Sequence, residues 1–509
     1  MSRRTPYSRR QFLKSVAAGL GVAGAPALLA ACGSQPANTP VSSQPTAPGV
    51  TSGSSSATGE VTHWDWWVTQ SPWIENEIKL FQEANPGITI TRTLQPDKKI
   101  DELLSASFRD GSTPDTFFTL LPFVDLVKGQ YVAPLSDFED FAAYQNTFPN
   151  PAIDFAEGSN MQDGKIYAAP REARSAWWNQ IYVHTGLLKE AGWTENGGVR
   201  LPATLEEFIQ AQRDVLKASG GKAYGWSNPF STGWTPVMWW FMGQLSGAPF
   251  GADNFKTGRY DFSSPVWRQI LEGFVTMRDE GLILPESNSL DDEGIRALFA
   301  EGRSLYTTTG IWAIPGWKQT HPDFSSYTLM PPPLVGVNEP VSYFQSSPGQ
   351  AGTAMYISAK TAKREAAWAW YKWLNSRQAM QRWVEQGLGL SLWSEDNDPK
   401  YASNEALKAL STTDSKVNRV APARAVRNPE IGKVKEGDVK PNEGAIISGL
   451  FSKQLTDIPA LLTQLEADKN AAREQAVKDA VAAGAKINFP EDYAFPDWDP
   501  TKDYVTNKK

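Results

Sequence analysis

Cysteine and histidine are nearly absent from this chain of 509 residues. The only cysteine is Cys32, and the three histidines, His63, His184 and His321, lie far apart in the sequence. A single cysteine excludes an intramolecular disulfide and a zinc site built from several cysteines. The histidines show none of the spacings of a metal site. We therefore expect no cofactor and no metal at the binding site, while calcium at a loop such as Asp291-Asp292-Glu293 stays open.

Several motifs of catalysis and of nucleotide use are missing as well. The chain has no G-x-x-x-x-G-K-[ST] phosphate loop, no G-x-S-x-G and no H-E-x-x-H. The first absence means that the chain has no such loop to bind and hydrolyse a nucleoside triphosphate itself. The other two remove the commonest serine and zinc hydrolases. We expect no catalytic residues, although 56 acidic residues leave open a glycoside hydrolase, which needs only two opposed carboxylates.

A short apolar run rich in Ala and Gly covers residues 15–31. A membrane-spanning helix needs about 20 strongly apolar residues, and this run is shorter and made largely of small side chains. It follows the twin-arginine sequence S-R-R-Q-F-L-K, which contains Arg9 and Arg10, and it leads into Cys32. We therefore predict a signal peptide over residues 1–31, removed from the mature protein.

The sequence L-A-A-C that ends at Cys32 resembles the lipobox of bacterial lipoproteins. That resemblance implies a diacylglycerol on the sulfur of Cys32 and cleavage just before it. The Arg9 and Arg10 pair implies the twin-arginine route, which exports proteins already folded. We expect a lipoprotein anchored through membrane lipid to the outer face of the cytoplasmic membrane, either periplasmic or at the cell surface.

The charge balance is acidic, with 56 acidic against 49 basic residues. Removal of residues 1–31 takes away five basic residues and no acidic one, which leaves a formal net charge of −12. An acidic surface argues against a nucleic-acid partner. Residues 33–59 carry no charge and consist mainly of Ser, Pro, Thr, Ala and Gly. We predict a disordered linker over residues 32–59, with a reach of about 30 Å.

At Glu60 the uncharged, Ser- and Pro-rich sequence gives way to one with regular apolar periodicity. The sequence predicts strands over residues 61–67, 88–91 and 115–121, with an amphipathic helix between each pair. A β-α-β-α-β order is typical of a parallel sheet with helices on both faces. Ligands of such sheets bind beyond the carboxyl ends of the strands. Trp66, Trp67 and Thr119 stand at those ends and become candidate binding residues.

Six short motifs then carry a resemblance. They are F-Q-E-A-N-P-G-I at 81–88, G-S-T-P-D at 111–115, D-G-K-I-Y-A-A-P at 163–170, L-P-A-T-L-E-E-F at 201–208, F-A-E-G-R-S-L at 299–305 and G-I-W at 310–312. Together, and in this order, they resemble bacterial extracellular solute-binding proteins of the carbohydrate-binding type.

The resemblance implies an α/β fold of type II, periplasmic-binding-protein-like, with two lobes and a ligand cleft between them. Lobe one is expected over residues 60–170 and 345–405, and lobe two over residues 171–344 and 406–509. The chain should cross between lobes near residues 170–172 and 346–349. The implied function is capture of a sugar or oligosaccharide and its delivery to the permease subunits of an ABC importer. We expect a monomer.

The chain also contains 20 tryptophans, all beyond residue 60. Tryptophan can stack on the apolar face of a sugar ring and keep an N–H donor for a hydroxyl. We expect a structural role for seven of them: Trp193, Trp267, Trp368, Trp370, Trp373, Trp383 and Trp498. The candidate solute contacts from strand ends, loops and aligned motifs are Trp66, Trp67, Gln70, Thr119, Glu172, Arg174, Trp234 and Trp312.

Some alternatives remain open at this point. Either Trp66 or Trp67 can face the cleft, because successive strand residues point to opposite sides. An anionic sugar becomes attractive if Arg171 and Arg174 both face the cleft. A membrane-anchored carbohydrate-active enzyme, or a binder of another small solute such as a peptide, would need other residues in the same fold.

Overall fold

The computed structural model describes residues 57–96, 99–174, 180–230, 235–349, 353–402 and 404–507. Within these ranges, no helix is long and apolar enough to span a membrane. The predicted signal peptide, Arg9, Arg10 and Cys32 lie outside the described residues, as do most of the predicted linker and Trp234. The first strand begins at Gly59, so the predicted linker extended one residue too far.

The strands and helices follow each other in mixed order along the chain. The strands are β1 (Gly59–Asp65), β2 (Ile88–Leu94), β3 (Thr116–Phe118), β4 (Met161–Gln162), β5 (Lys165–Ile166), β6 (Gln180–His184), β7 (Thr194–Glu195), β8 (Gly198–Val199), β9 (Tyr224–Ser227), β10 (Asp253–Asn254), β11 (Arg259–Tyr260), β12 (Ser304–Thr309), β13 (Tyr327–Met330), β14 (Phe344–Ser346), β15 (Met355–Ile357) and β16 (Asn418–Val420). The α-helices are α1 (Ser71–Ala84), α2 (Ile100–Asp110), α3 (Phe123–Lys128), α4 (Phe141–Gln145), α5 (Pro151–Asp154), α6 (Thr185–Glu190), α7 (Leu205–Ala218), α8 (Thr235–Gly243), α9 (Pro265–Asp279), α10 (Asp292–Ala300), α11 (Ala313–Thr320), α12 (Arg364–Leu374), α13 (Arg377–Glu385), α14 (Glu405–Val417), α15 (Arg424–Arg427), α16 (Glu443–Phe451) and α17 (Ile458–Ala482).

The sheet of lobe one has the order β15-β3-β1-β2. β1 pairs in parallel with both β2 and β3, which confirms the parallel arrangement predicted for these three strands. β15 joins β3 from the far end of the sequence in antiparallel direction. The predicted third strand was too long, because β3 ends at Phe118. The hydroxyl of Thr119 then accepts a hydrogen bond from the amide of Leu121 at 3.1 Å, and this contact turns the chain.

The sheet of lobe two has the order β13-β6-β12-β9. β12 is parallel to β9 and antiparallel to β6. Its six residues are all buried, as expected for a strand covered on both faces. One hydrophobic cluster joins this sheet to α7, α8 and α9, and residues of α16 and α17 belong to the same cluster. The α/β architecture therefore contains two sheets with separate cores.

Tryptophans fill much of the core of lobe one. Trp368, Trp370 and Trp383 are buried, and the partly buried Trp373 donates from Nε1 to Glu77 Oε2 at 3.0 Å. The structural role predicted for these four is confirmed, as it is for Trp193, Trp267 and Trp498, which are also buried. The single helical run predicted over residues 363–386 was wrong. It is two helices, because the Ser376 hydroxyl accepts from the amide of Ala379 and begins α13.

Two extended segments run side by side between the lobes. The amide of Leu392 donates to the carbonyl of Arg171 at 2.9 Å, and the amide of Ala173 donates to the carbonyl of Leu390 at 3.0 Å. Between these bonds Glu172 and Ser391 face each other as an antiparallel bridge. The sequence predicted a crossing at Glu172, but it missed the paired segment around Ser391.

Gly389 precedes that paired segment and needs to be a glycine. A Cβ atom there would lie 2.6 Å from Cδ1 of Ile311 and 2.7 Å from Nε1 of Trp383. Ile311 belongs to the cluster around α11, and Trp383 belongs to the core of lobe one. The chain therefore passes between side chains of the two cores with no room for a larger residue.

Candidate functional site

The carboxyl ends of the three parallel strands in lobe one lie along a single edge of the sheet. Three large apolar side chains are exposed there, with Leu94 at 44 %, Val68 at 59 % and Leu120 at 62 %. The first ends β2, and the other two follow β1 and β3. Large apolar side chains exposed at one edge of a sheet are candidates for contacts with a ligand. This edge of the sheet is therefore a candidate region for solute contacts.

Trp66 and Trp67 leave β1 in opposite directions. Trp67 is only 6 % exposed, and its ring stacks on Phe118 with centroids 4.2 Å apart. Its amide donates to Asp65 Oδ1 at 2.8 Å, which fixes the backbone at the strand end. Trp66 is half-buried and contacts the Trp67 ring edge-on at 6.3 Å. Of the two candidates, Trp66 has ring surface left for a solute.

Gln70 is the N-cap residue of α1, directly before Ser71. Its carbonyl accepts from the amides of Trp73 and Ile74 at 3.0 and 3.2 Å. Its side-chain oxygen accepts from the hydroxyl of Thr69 at 2.8 Å. The Gln70 side chain is partly exposed beside the strand end, and its amide nitrogen is the group that could serve a solute.

Thr119 is 4 % exposed, and its hydroxyl is already engaged. Oγ1 donates to Asp101 Oδ1 at 2.6 Å and accepts from the amide of Leu121. The same carboxylate oxygen accepts from the amide of Leu120 at 3.1 Å. These bonds fix the conformation of the loop that exposes Leu120, so the role of Thr119 at this edge is structural.

Glu172 lies in the paired segment between the lobes and is 6 % exposed. Its Oε1 accepts from Nη2 of Arg171 at 2.7 Å. Burial raises the pKa of the Glu172 carboxyl, and the positive charge of Arg171 works against that rise. Burial in turn lowers the pKa of Arg171, because desolvation disfavours its charged form. The pair therefore places one buried carboxylate at the crossing.

Arg174 forms an ion pair with Asp154, with the bond from Nη2 to Oδ1. The other oxygen of Asp154 accepts from the amide of Asn150 at 2.8 Å. Burial raises the pKa of Asp154, and Arg174 opposes the rise. Arg171, with a side chain that is 1 % exposed, does not reach the surface. The condition for an anionic sugar, two guanidinium groups open to the cleft, is therefore not met.

Trp312 stands at the start of α11, directly after β12. The helix begins at Ala313, and Trp312 is half-buried. The ring of Trp312 packs directly against Gly310, since a Cβ at Gly310 would lie 1.9 Å from a Trp312 ring carbon. The hydroxyl of Tyr182 donates to the carbonyl of Gly310 at 3.2 Å and holds this turn in place. Trp312 thus extends from the carboxyl end of a strand in lobe two.

The two lobes touch near these aromatic residues. Nε2 of Gln319, at the far end of α11, donates to the carbonyl of Thr69 at 3.0 Å. The Thr69 methyl group also lies 3.6 Å from where a Cβ on Gly316 would stand. Thr69 follows Trp66 by three residues, and Gly316 follows Trp312 by four. The contact therefore brings the Trp66 edge of lobe one to the Trp312 helix of lobe two.

Asn228 is a candidate that sequence reasoning missed. It follows β9, whose carboxyl end lies beside that of β12, and it is 2 % exposed. Its backbone amide donates to Ser287 Oγ at 3.2 Å, while its side-chain Nδ2 has no hydrogen-bond partner among the residues that the structure describes. A buried amide without a partner is costly and suits a ligand oxygen. The signal was available, because Pro229 marks the end of the short β-prone stretch before it.

The described parts of the chain contain no cluster of three His, Cys, Asp or Glu residues that could hold a metal ion. What the site offers is aromatic surface from both lobes, a buried amide and a carboxylate. Such an arrangement suits reversible binding of a small molecule with polar groups and an apolar face.

Comparison with known proteins agrees with this geometry. The family model "Bacterial extracellular solute-binding protein" matches residues 78–409. A putative binding protein of Brucella abortus is 24 % identical over 237 residues, which is 46 % of this chain and 53 % of that protein. A multiple sugar-binding protein of Streptococcus mutans is 23 % identical over 320 residues, 60 % of this chain and 69 % of its own length. The chain thus spans about half the length of the first of these curated relatives.

Among solved structures, the GacH receptor of Streptomyces glaucescens superposes with a TM-score of 0.60 at 18 % identity. The match covers 83 % of this chain and 99 % of that receptor, which was crystallised unliganded and with acarbose. At this identity the likeness shows the two-lobe fold. Together with the family match over most of the chain, it leads to one conclusion: this chain belongs to the bacterial extracellular solute-binding protein family.

Proposed function

We propose that this protein captures a sugar or oligosaccharide between its two lobes and delivers it to the permease subunits of an ABC importer. The observation that carries the proposal is the contact of Thr69 with Gln319, which brings Trp66 and Trp312 to the same part of the molecule. Aromatic rings on two facing lobes can stack on both faces of a sugar ring. The relative named as a multiple sugar-binding protein supports the same class of solute.

Within this proposal Trp66 and Trp312 stack on the solute, and Gln70, Asn228 and Glu172 bind its hydroxyl groups. Trp67 supports Trp66 from the core, and Thr119 supports the loop of Leu120. The solute is electrically neutral, because Arg171 and Arg174 are both engaged by carboxylates of the protein itself. The chemistry required is binding alone, so no catalytic residue is assigned.

The lobes close on the solute by bending where the chain crosses between them. We assign lobe one to residues 60–170 and 345–405, and lobe two to residues 171–344 and 406–509. The segment around Glu172, which pairs with residues around Ser391, forms one crossing, and the segment after β14 forms another. Closure and affinity are linked, since a solute shifts the lobes only by its differential affinity for the closed form.

The same proposal covers the route and place of action. Arg9 and Arg10 direct export in the folded state, and lipid on Cys32 then holds the protein to the outer face of the cytoplasmic membrane. The linker between Cys32 and the first strand lets the folded part reach a permease nearby. A monomer is sufficient, because each chain carries both walls of its cleft.

A thermal-shift screen of neutral saccharides against the full-length protein tests the proposal. A saccharide at a hundred times its dissociation constant should stabilise the protein by about 2.7 kcal/mol. The screen should include monosaccharides, linear and cyclic oligosaccharides, uronides and short peptides. Stabilisation by peptides alone would refute the saccharide assignment. Release of a cleaved product from a stabilising saccharide would point to an enzyme.

A further inference from the structure

The guanidinium group of Arg171 lies inside the core of lobe one, enclosed by aromatic rings. Only 1 % of its side chain is exposed. The distances from Cζ to the ring centroids are 4.3 Å to Trp67, 5.1 Å to Phe118, 5.2 Å to Trp383 and 6.0 Å to Trp73. We call these four rings the Arg171 cage. A planar cation held between aromatic faces keeps a fixed orientation.

Among the described residues, the caged group makes a single hydrogen bond, from Nη2 to Glu172 Oε1 at 2.7 Å. Nε and Nη1 have no hydrogen-bond partner within the described part of the chain. A buried ion pair in which two of the guanidinium nitrogens make no hydrogen bond contributes little to stability by itself. The cage instead fixes the orientation of the guanidinium group, so that its Nη2 donates to Glu172 in the crossing segment.

We propose that Arg171 is a positioning residue, which holds the carboxylate of Glu172 charged and oriented toward the solute. The inference rests on the proposed function, in that Glu172 binds a solute hydroxyl. Arg171 itself is enclosed and touches no solute. Its effect reaches the cleft through the adjacent carboxylate, which keeps 7 % of its side chain exposed.

Arg171 controls the charge of Glu172 because few other charged groups lie near that carboxylate. Among the described residues, only Arg171 pairs with its carboxylate. Tyr371, the next titratable group beside Arg171, accepts at its hydroxyl from the amide of Ala169 at 2.7 Å, and Arg174 is occupied by Asp154. Without Arg171 nothing opposes the burial that raises the pKa of Glu172. A protonated carboxyl is a weaker acceptor than a carboxylate.

The first experiment measures Glu172 directly, without any solute. The full-length protein is labelled with glutamate ¹³C at Cδ, and the resonance that disappears in Glu172→Gln is followed against pH. In Arg171→Met, whose unbranched apolar side chain fills the cage, the titration midpoint should move upward by at least one pH unit. Arg382→Met is the matched control, because Arg382 pairs with the buried Glu77 in the same lobe through two bonds of 2.6 Å. It should leave the Glu172 midpoint unchanged.

The second experiment measures the dissociation constant of a saccharide from the thermal screen between pH 5 and pH 8. Arg171→Met should weaken binding at least tenfold at low pH and recover as the pH rises. Arg171→Met in a Glu172→Gln background should bind no more weakly than Glu172→Gln alone. Arg171→Lys should return the affinity profile toward that of the wild type.

The outcomes separate the two proposals. An unchanged midpoint of Glu172 in Arg171→Met, or an equal loss of affinity in the Glu172→Gln background, overturns the positioning role. If Arg171→Met does not fold, Arg171→Gln decides, because it also removes the positive charge, and a Glu172 titration midpoint identical to that of the wild type would then overturn the positioning role. If the wild-type protein binds no saccharide, the proposed function fails, while the ¹³C titration still tests the link between Arg171 and Glu172.

Discussion

Trp66 and Trp67 are neighbours in sequence, yet their replacement by alanine should affect different properties. Trp67 is 6 % exposed, stacks on Phe118 at 4.2 Å and faces the Arg171 guanidinium at 4.3 Å. Truncation of a buried tryptophan costs about 3–5 kcal/mol of stability. Loss of the cation–π contact, about 2 kcal/mol for a desolvated pair, places Trp67→Ala near the top of that range. Its saccharide affinity should change much less.

Trp66→Ala should show the reverse. The ring is half-buried and its removal leaves a shallow surface gap, so the free energy of unfolding should fall by about 1 kcal/mol. Loss of a stacking face should weaken saccharide binding by about 2 kcal/mol, roughly 30-fold. Urea unfolding and titration calorimetry on the two variants supply both numbers. The reasoning is refuted if Trp67→Ala loses affinity at unchanged stability, or if Trp66→Ala is the more destabilised of the pair.

Three further predictions concern the cleft, the core and the export signal. Trp312→Ala should weaken saccharide binding by about 2 kcal/mol in calorimetry, with little change in unfolding, and unchanged affinity would remove it from the site. Burial lowers the pKa of His63 to about 4, with Asp65 opposing and Arg92 adding to the effect, so the unfolded state binds a proton that the folded state does not. Stability should therefore fall by about 3 kcal/mol as the pH drops from 6.5 to 4, and His63→Gln should flatten that part of the urea-midpoint curve. Cys32→Ala should release the protein from membranes or leave it unprocessed, while lysines at Arg9 and Arg10 should retain folded protein in the cytoplasm, both read by cell fractionation; normal fractionation of either variant contradicts its assignment.

The beginning of the fold was predictable because its signals are local. Apolar alternation in residues 88–91 and the breaker N-P-G at 85–87 act within a few residues, and they set the start of β2 and the end of α1. The antiparallel partner β15 was not predicted to pair with β3, since that contact depends on the whole chain between them. The split of residues 363–386 into two helices depends on a single hydroxyl cap at Ser376, which helical periodicity does not reveal.

The site was harder to predict, because its residues are defined by what packs behind them. Strand alternation gives Trp66 and Trp67 opposite faces, but the choice between them depends on Phe118 and Arg171, which come from other segments. Thr119 and Arg174 are likewise engaged by side chains of other segments, Asp101 and Asp154. Ligands bind beyond the carboxyl ends of parallel strands, but only the strands of lobe one were predicted from the sequence, and Asn228 follows a strand of lobe two.

Lobe closure supplies a last prediction, because the contact between Gln319 and Thr69 is a direct hydrogen bond across the cleft. An exposed neutral bond of this kind contributes about 1 kcal/mol, so Gln319→Ala should lower the population of the closed form relative to the open form about fivefold. The saccharide should then dissociate about fivefold faster with an unchanged association rate, because we expect this bond to form only as the lobes close. Lys318→Ala, on an exposed neighbour in the same helix, is the control. Stopped-flow tryptophan fluorescence gives the rates, and small-angle scattering gives the radius of gyration with and without saccharide. A dissociation rate equal to that of Lys318→Ala, or a tightly bound saccharide that leaves the radius of gyration unchanged, would show that this contact does not report closure.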